Sequence, residues 1–199
     1  MAIFSFLYSF TKPKPLPPIK RPIPPCSKDE VLKRREFAKS RIINEFVHSK
    51  KDPPFHCSCG PINQDDYFNW TGAIIGPSET PYEGGVFFLS IKFTEQHPFR
   101  PPIIKFQTKI YHPNVDQEDG TIHLDLLGSY WSPAPEIHKL LLSICSFLSD
   151  PNPDEDPSKP ISNLYKNDRK MYDKVARMWT LKYAMSWSFA GGLDILRIT

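Results

Sequence analysis

Apolar residues from Ser27 onward recur first at helical and then at strand spacing. Val31, Leu32, Phe37, Ala38, Ile42, Ile43, Phe46 and Val47 follow a capping hydroxyl at Ser27, with Asp29 and Glu30 in the first turn. That pattern predicts a helix ending before Asp52-Pro-Pro, because proline removes a donor and restricts the residue before it. Four strand-like runs follow, around residues 55–59, 68–75, 86–93 and 103–108, broken by Gly76-Pro-Ser-Glu-Thr-Pro and Pro98-Phe-Arg-Pro-Pro. The third alternates cleanly, with Phe87, Leu89, Ile91 and Phe93 on one face and Phe88, Ser90 and Lys92 on the other. Beyond Pro135, helical spacing returns in Ile137, Leu140, Leu141, Ile144, Cys145 and Leu148, and again after Pro160 in Leu164, Tyr172, Val175, Ala176, Trp179 and Tyr183. Short connections make the sheet antiparallel, and helices gathered at both ends of the chain make the class α+β.

Upstream the pattern changes. Residues 11–25 hold seven prolines, a composition that predicts an extended linker outside the core. Within it, Pro15-Leu-Pro-Pro18, flanked by Lys12 and Lys20, fits the ligand pattern of SH3-type modules, although a stiff spacer is the more ordinary reading. The expected organisation is a basic, Pro-rich tail over 1–28, a core domain over 29–185 and an extension over 186–199.

The 199 residues, 40% of them hydrophobic, are enough for one core and short for two. The net charge of +3 is unevenly placed: residues 1–28 carry five basic and no acidic side chains, and the rest sums to −2. A basic arm on a nearly neutral body argues against a nucleic-acid-binding domain. The apolar first ten residues are too short to span a bilayer and lack the marks of a signal peptide. Cysteines 26, 57, 59 and 145 have neither zinc-site spacing nor disulfide-scaffold density, which points to a cytoplasmic or nuclear setting.

The most informative stretch runs Tyr111-His-Pro-Asn-Val-Asp-Gln-Glu-Asp-Gly-Thr-Ile-His-Leu-Asp-Leu-Leu, followed by Trp131-Ser-Pro-Ala and Asp150-Pro-Asn-Pro. With Trp70, Pro81-Tyr-Glu-Gly-Gly-Val-Phe-Phe-Leu, Pro98-Phe-Arg-Pro-Pro and Tyr165-Lys-Asn-Asp-Arg, it resembles the ubiquitin-conjugating enzymes, most closely their small, broadly acting, single-domain subgroup, over about residues 36–185. The resemblance implies the fold of that family and a cysteine nucleophile where this chain has His123. It implies that Asn114 stabilises the oxyanion or holds the active-site loop, that Asp125 lies near the incoming lysine, and that Glu155 is the acidic gate, with Asp156 the alternative. It further implies ligase contact through Phe99, Pro133 and Ala134, helped by Arg41, and a non-covalent ubiquitin contact at Ser58. His97 stands where the family usually has an aromatic residue.

A conjugating enzyme needs a thiolate that is first a good nucleophile and then a good leaving group, and imidazole is no reversible acyl carrier. The expected activity is therefore binding without catalysis, with ubiquitin, RING-type ligases or active conjugating enzymes as partners and no cofactor. The alternative is an active transferase with an altered or trans-acting nucleophile. Cys145 reads as a core residue, Cys57 and Cys59 as strand residues far from Asn114. The turn before His123 is one residue longer than the family spacing, which implies a displaced Asn114 and poor charging even with cysteine at 123. Asp116, Glu118 and Asp119 nearby favour a protonated ring. Zinc held by His112, His123 and Asp125 is a weak alternative, lacking helical spacing, and no metal is assigned.

Overall fold

The computed structural model describes residues 27–155 and 159–185. The tail with its Pro15–Pro18 motif, Cys26, Asp156 and the extension over 186–199 lie outside the described residues.

Helix α1 (Lys28–Lys51) begins at a complete capping box: Glu30 N–H donates to Ser27 Oγ at 3.3 Å, and Ser27 N–H donates to Glu30 Oε2 at 3.0 Å. It ends against Asp52, as the prolines require. Its buried stripe differs from the predicted one. Ala38, Ile42, Glu45 and Ser49 face inward, whereas Val31, Leu32, Phe37 and Val47 are exposed. The reason lies in the tertiary arrangement: α1 packs against the second strand and the second helix, and its first turns extend past both.

The sheet is a meander, β1 (Cys57–Asn63), β2 (Asp66–Ile75), β3 (Val86–Lys92) and β4 (Ile103–Phe106), antiparallel throughout and ordered β1-β2-β3-β4. The α+β architecture is thus as the pattern predicts. The first strand starts later than its apolar run, since Phe55 lies in a turn and is exposed. Pro61 is accommodated because β1 is an edge strand whose register shifts between Pro61 and Asn63. The alternation in β3 is fully expressed: Phe87, Leu89, Ile91 and Phe93 are buried.

Helix α2 (Ile137–Ser149) covers the inner sheet face with Leu140, Leu141, Ile144 and Leu148, meeting Trp70, Ile74 and Leu89 in one core. The final helical run is two helices, α3 (Pro160–Asn167) and α4 (Arg169–Trp179). Asp168 separates them and caps the second through Met171 N–H at 3.0 Å. A wider-wound segment, Thr180–Ala184, continues α4. The hydroxyls of Tyr82 and Tyr172 lie 2.7 Å apart, and Tyr82 donates to the Tyr111 carbonyl at 2.7 Å, so α4 is tied to the chain just before His112. No described helix is long and apolar enough to cross a membrane.

Candidate functional site

The stretch from Tyr111 to Leu127 runs beside β4. Lys105 of β4 bridges Thr121, and Val115 bridges Ile122, so the segment folds back on itself as a short hairpin. His123 closes it by donating its backbone N–H to the Asn114 carbonyl at 2.8 Å. The His123 ring is half-buried, and among the described residues no ion pair joins it to a carboxylate. Two residues on, Asp125 begins a single 3₁₀ turn, Asp125–Leu127, and is exposed.

The tip of the turn is held by its own hydrogen bonds. Asp116 Oδ1 accepts from the backbone N–H groups of Glu118 and Asp119, and Gly120 N–H donates to the Asp116 carbonyl at 3.0 Å. Gly120 has a φ of 72°, and a Cβ there would lie 2.0 Å from the Phe106 carbonyl oxygen. Only glycine closes this turn against β4. Across the turn, Val115 pairs with Ile122 and Asn114 with His123. The acidic groups do not gather around His123. Lys105 and Thr121 bind the Asp119 carboxyl and hold it below the usual carboxylate range, while Asp116 serves its own turn.

Asn114 is buried and fully engaged. Its Nδ2 donates to the Asn152 carbonyl at 2.7 Å and to Glu155 Oε2 at 2.8 Å, and its Oδ1 accepts from Asn152 N–H at 2.9 Å. These bonds tie the hairpin to the loop at residues 152–155. Glu155 is thereby brought to Asn114. His112 supports the same bend: its Nδ1 accepts from Asn114 N–H at 3.1 Å, which leaves Nε2–H to donate to the Phe147 carbonyl at 3.3 Å. Burial pulls the His112 pKa down to about 4, against the opposing effect of the Phe147 carbonyl, so the ring is neutral. With both nitrogens occupied, His112 is no zinc ligand, and no metal-binding group of three side chains occurs among the described residues.

The thiols lie elsewhere. β1 is the edge opposite β4, three strand spacings or about 14 Å away across the sheet, which separates Cys57 and Cys59 from the hairpin. Contact with Cys145 and burial push the Cys57 thiol far up, and burial with the Glu45 charge nearby pushes Cys59 up to about 12. Cys145 is buried on α2, with its Sγ 3.9 Å from the Ile75 carbonyl. Ser58 is exposed on β1, paired with Ala73 on the outer sheet face.

The predicted ligase-contact residues do assemble. Phe99, Pro133 and Ala134 are all exposed, and Phe99 is 69% accessible. Arg41 Nη2 donates to the Pro133 carbonyl at 3.3 Å, and Trp131 Nε1 donates to the Pro98 carbonyl at 2.8 Å, joining the two loops. Beneath them lies a residue the pattern missed, Glu45, only 1% exposed. Its Oε1 accepts from Arg41 Nε at 2.7 Å and meets His97 Nε2 at 2.9 Å, while its Oε2 accepts from Ile137 N–H at the start of α2 at 2.9 Å. Burial raises the Glu45 pKa, but His97, Arg41 and the Ile137 amide outweigh it and hold the carboxyl below its ordinary value. The available signal was a carboxylate at helical spacing from Ala38, Ile42 and Ser49. His97, also buried, leaves Nδ1 without a hydrogen-bond partner.

A four-stranded meander covered on its inner face by α2, flanked by α1, and carrying a His-Pro-Asn hairpin beside its last strand defines the ubiquitin-conjugating fold. Residues 41–180 match the family model of the ubiquitin-conjugating enzymes, and the chain belongs to that family. It is a ubiquitin-conjugating-enzyme-like protein of the ubiquitin pathway.

Proposed function

We propose that this protein is a binding module that keeps the conjugating fold and has lost the reaction. It engages ubiquitin, a RING-type ligase or an active conjugating enzyme through its surfaces, without carrying ubiquitin covalently. The observation that supports this most is the imidazole of His123, where the resemblance implies a cysteine nucleophile, with every described thiol buried or on the far edge of the sheet. Thioester exchange requires a sulfur that both attacks and departs. An acyl-imidazole hydrolyses, and the described cysteines with raised pKa values are poor thiolates.

The residues around His123 then have a structural task. Asn114, His112 and Glu155 fix the hairpin and the 152–155 loop, and Asp125 is left exposed beside them. Binding falls to the other surface, where Arg41 and Glu45 hold the Phe99 and Pro133 loops in register. Incubation with activating enzyme, ATP and ubiquitin tests the loss of reaction. The expected result is no ubiquitin adduct; an adduct on residue 123 that is passed to an amine would overturn the reading. Titration of isotopically labelled protein with RING-type domains and with ubiquitin tests the binding role. Shifts at Phe99, Pro133 and Ala134, or at Ser58, are expected, and their absence with every partner would remove it.

A further inference from the structure

Helix α1 begins thirteen residues before the matched region, and this extension reaches the ligase surface. Phe37 stacks on Phe99 with ring centroids 6.1 Å apart and planes inclined by 13°, yet stays 55% exposed. Helical spacing puts Lys33, Phe37 and Arg41 in a row, and Arg41 is the residue that grips Pro133. Between the extension and the Phe99 loop lies a groove of about 570 Å³, lined by Lys33, Arg34, Phe37, Glu95 and Phe99 with His97 at its base. Its one lining carboxylate, Glu95, lies 3.7 Å from Arg35. Lys33 and Arg34 have no ion-pair partner among the described residues.

An apolar aromatic floor with two unpaired cations on its rim selects its occupant by charge. We infer that this groove docks a partner segment presenting an apolar anchor side chain flanked by carboxylates. The anchor lies on the Phe37–Phe99 pair, and the carboxylates meet Lys33 and Arg34. The inference rests on the binding-module reading and specifies the partner. The chain's own residues 1–26 are disfavoured as occupant, because they carry Lys12, Lys14, Lys20 and Arg21 and no acidic side chain. The extension thus adds an acid-selective contact to a surface that otherwise offers apolar anchors.

The test uses the full chain and two labelled peptides sharing a central tryptophan and leucine, one flanked by four glutamates and its twin by four glutamines. Fluorescence anisotropy is expected to show the glutamate peptide binding at least tenfold tighter at low salt. Lys33→Glu with Arg34→Glu should abolish that preference, and Phe37→Ala should weaken both peptides. Equal binding of the twins, or a preference that survives the charge reversal, would overturn the inference. So would displacement of the glutamate peptide by a synthetic peptide of residues 1–26 at comparable affinity, or concentration-dependent self-association lost in Phe37→Ala. RING-type domains separate the two levels. Binding that needs Phe99 but ignores the charge reversal at Lys33 and Arg34 sinks this inference and leaves the proposed function standing. Absence of RING binding, with the glutamate preference intact, keeps the groove and removes ligases from the proposed function.

Discussion

The His123 hairpin and the Phe99 surface use their buried polar groups to opposite ends. In the hairpin, Asn114 and His112 use their side-chain polar atoms to hold backbone and Glu155, beside the half-buried His123. At the Phe99 surface, buried Glu45 receives Arg41, His97 and the start of α2, and the result is an exposed aromatic platform. One region spends its polar atoms on holding a loop, whereas the other spends them on presenting an exposed ring. Different hydrogen-bond networks support the two regions, so each is organised without the other.

The sharpest way to break this contrast is to restore the sulfur. Since the backbone of residue 123 closes the hairpin on Asn114, His123→Cys is expected to form a reductant-sensitive ubiquitin adduct where the native protein forms none, read by non-reducing gel electrophoresis. Failure of the variant to charge while remaining folded would show that the hairpin differs by more than its nucleophile. Next in size is Glu45→Ala, which leaves His97, Arg41 and the Ile137 amide without their acceptor. A loss of about 3 to 5 kcal/mol by urea denaturation is expected, together with weaker RING-domain binding. A loss below about 1 kcal/mol would mean that the three elements do not depend on Glu45.

The neutral, buried His112 ties the hairpin to pH. Its folded pKa of about 4 lies below the unfolded value near 6.5, so the unfolded chain binds a proton that the folded chain refuses. Its stabilisation is complete above pH 6.5 and declines by about 3 kcal/mol as pH falls from there to 4. Glu45, also depressed, adds a further loss only below the ordinary glutamate range. Denaturation curves between pH 7 and 4 should show this slope, and His112→Gln should flatten its upper part; an unchanged slope in the variant would refute the assignment. The smallest stability effect is expected from Phe99→Ala, within about 0.5 kcal/mol, because the ring is mostly exposed. The same variant should weaken RING binding tenfold or more by calorimetry. A large stability loss would instead make Phe99 a packing residue.

The order of elements, the alternation in β3, the proline stop of α1 and the absence of a thiol at 123 were all legible in the chain, because each depends on local period, on a backbone donor or on a single atom's chemistry. Long-range geometry decided what local rules misjudged. Leu32 and Phe37 fit an apolar stripe, yet among the described residues no layer covers that end of α1, whereas Glu45 is buried because Arg41, His97 and Ile137 converge on it from positions as far as 92 residues away. The turn before His123 looked one residue too long by counting. Only the fold shows Gly120 seated against Phe106 and the backbone of His123 meeting Asn114.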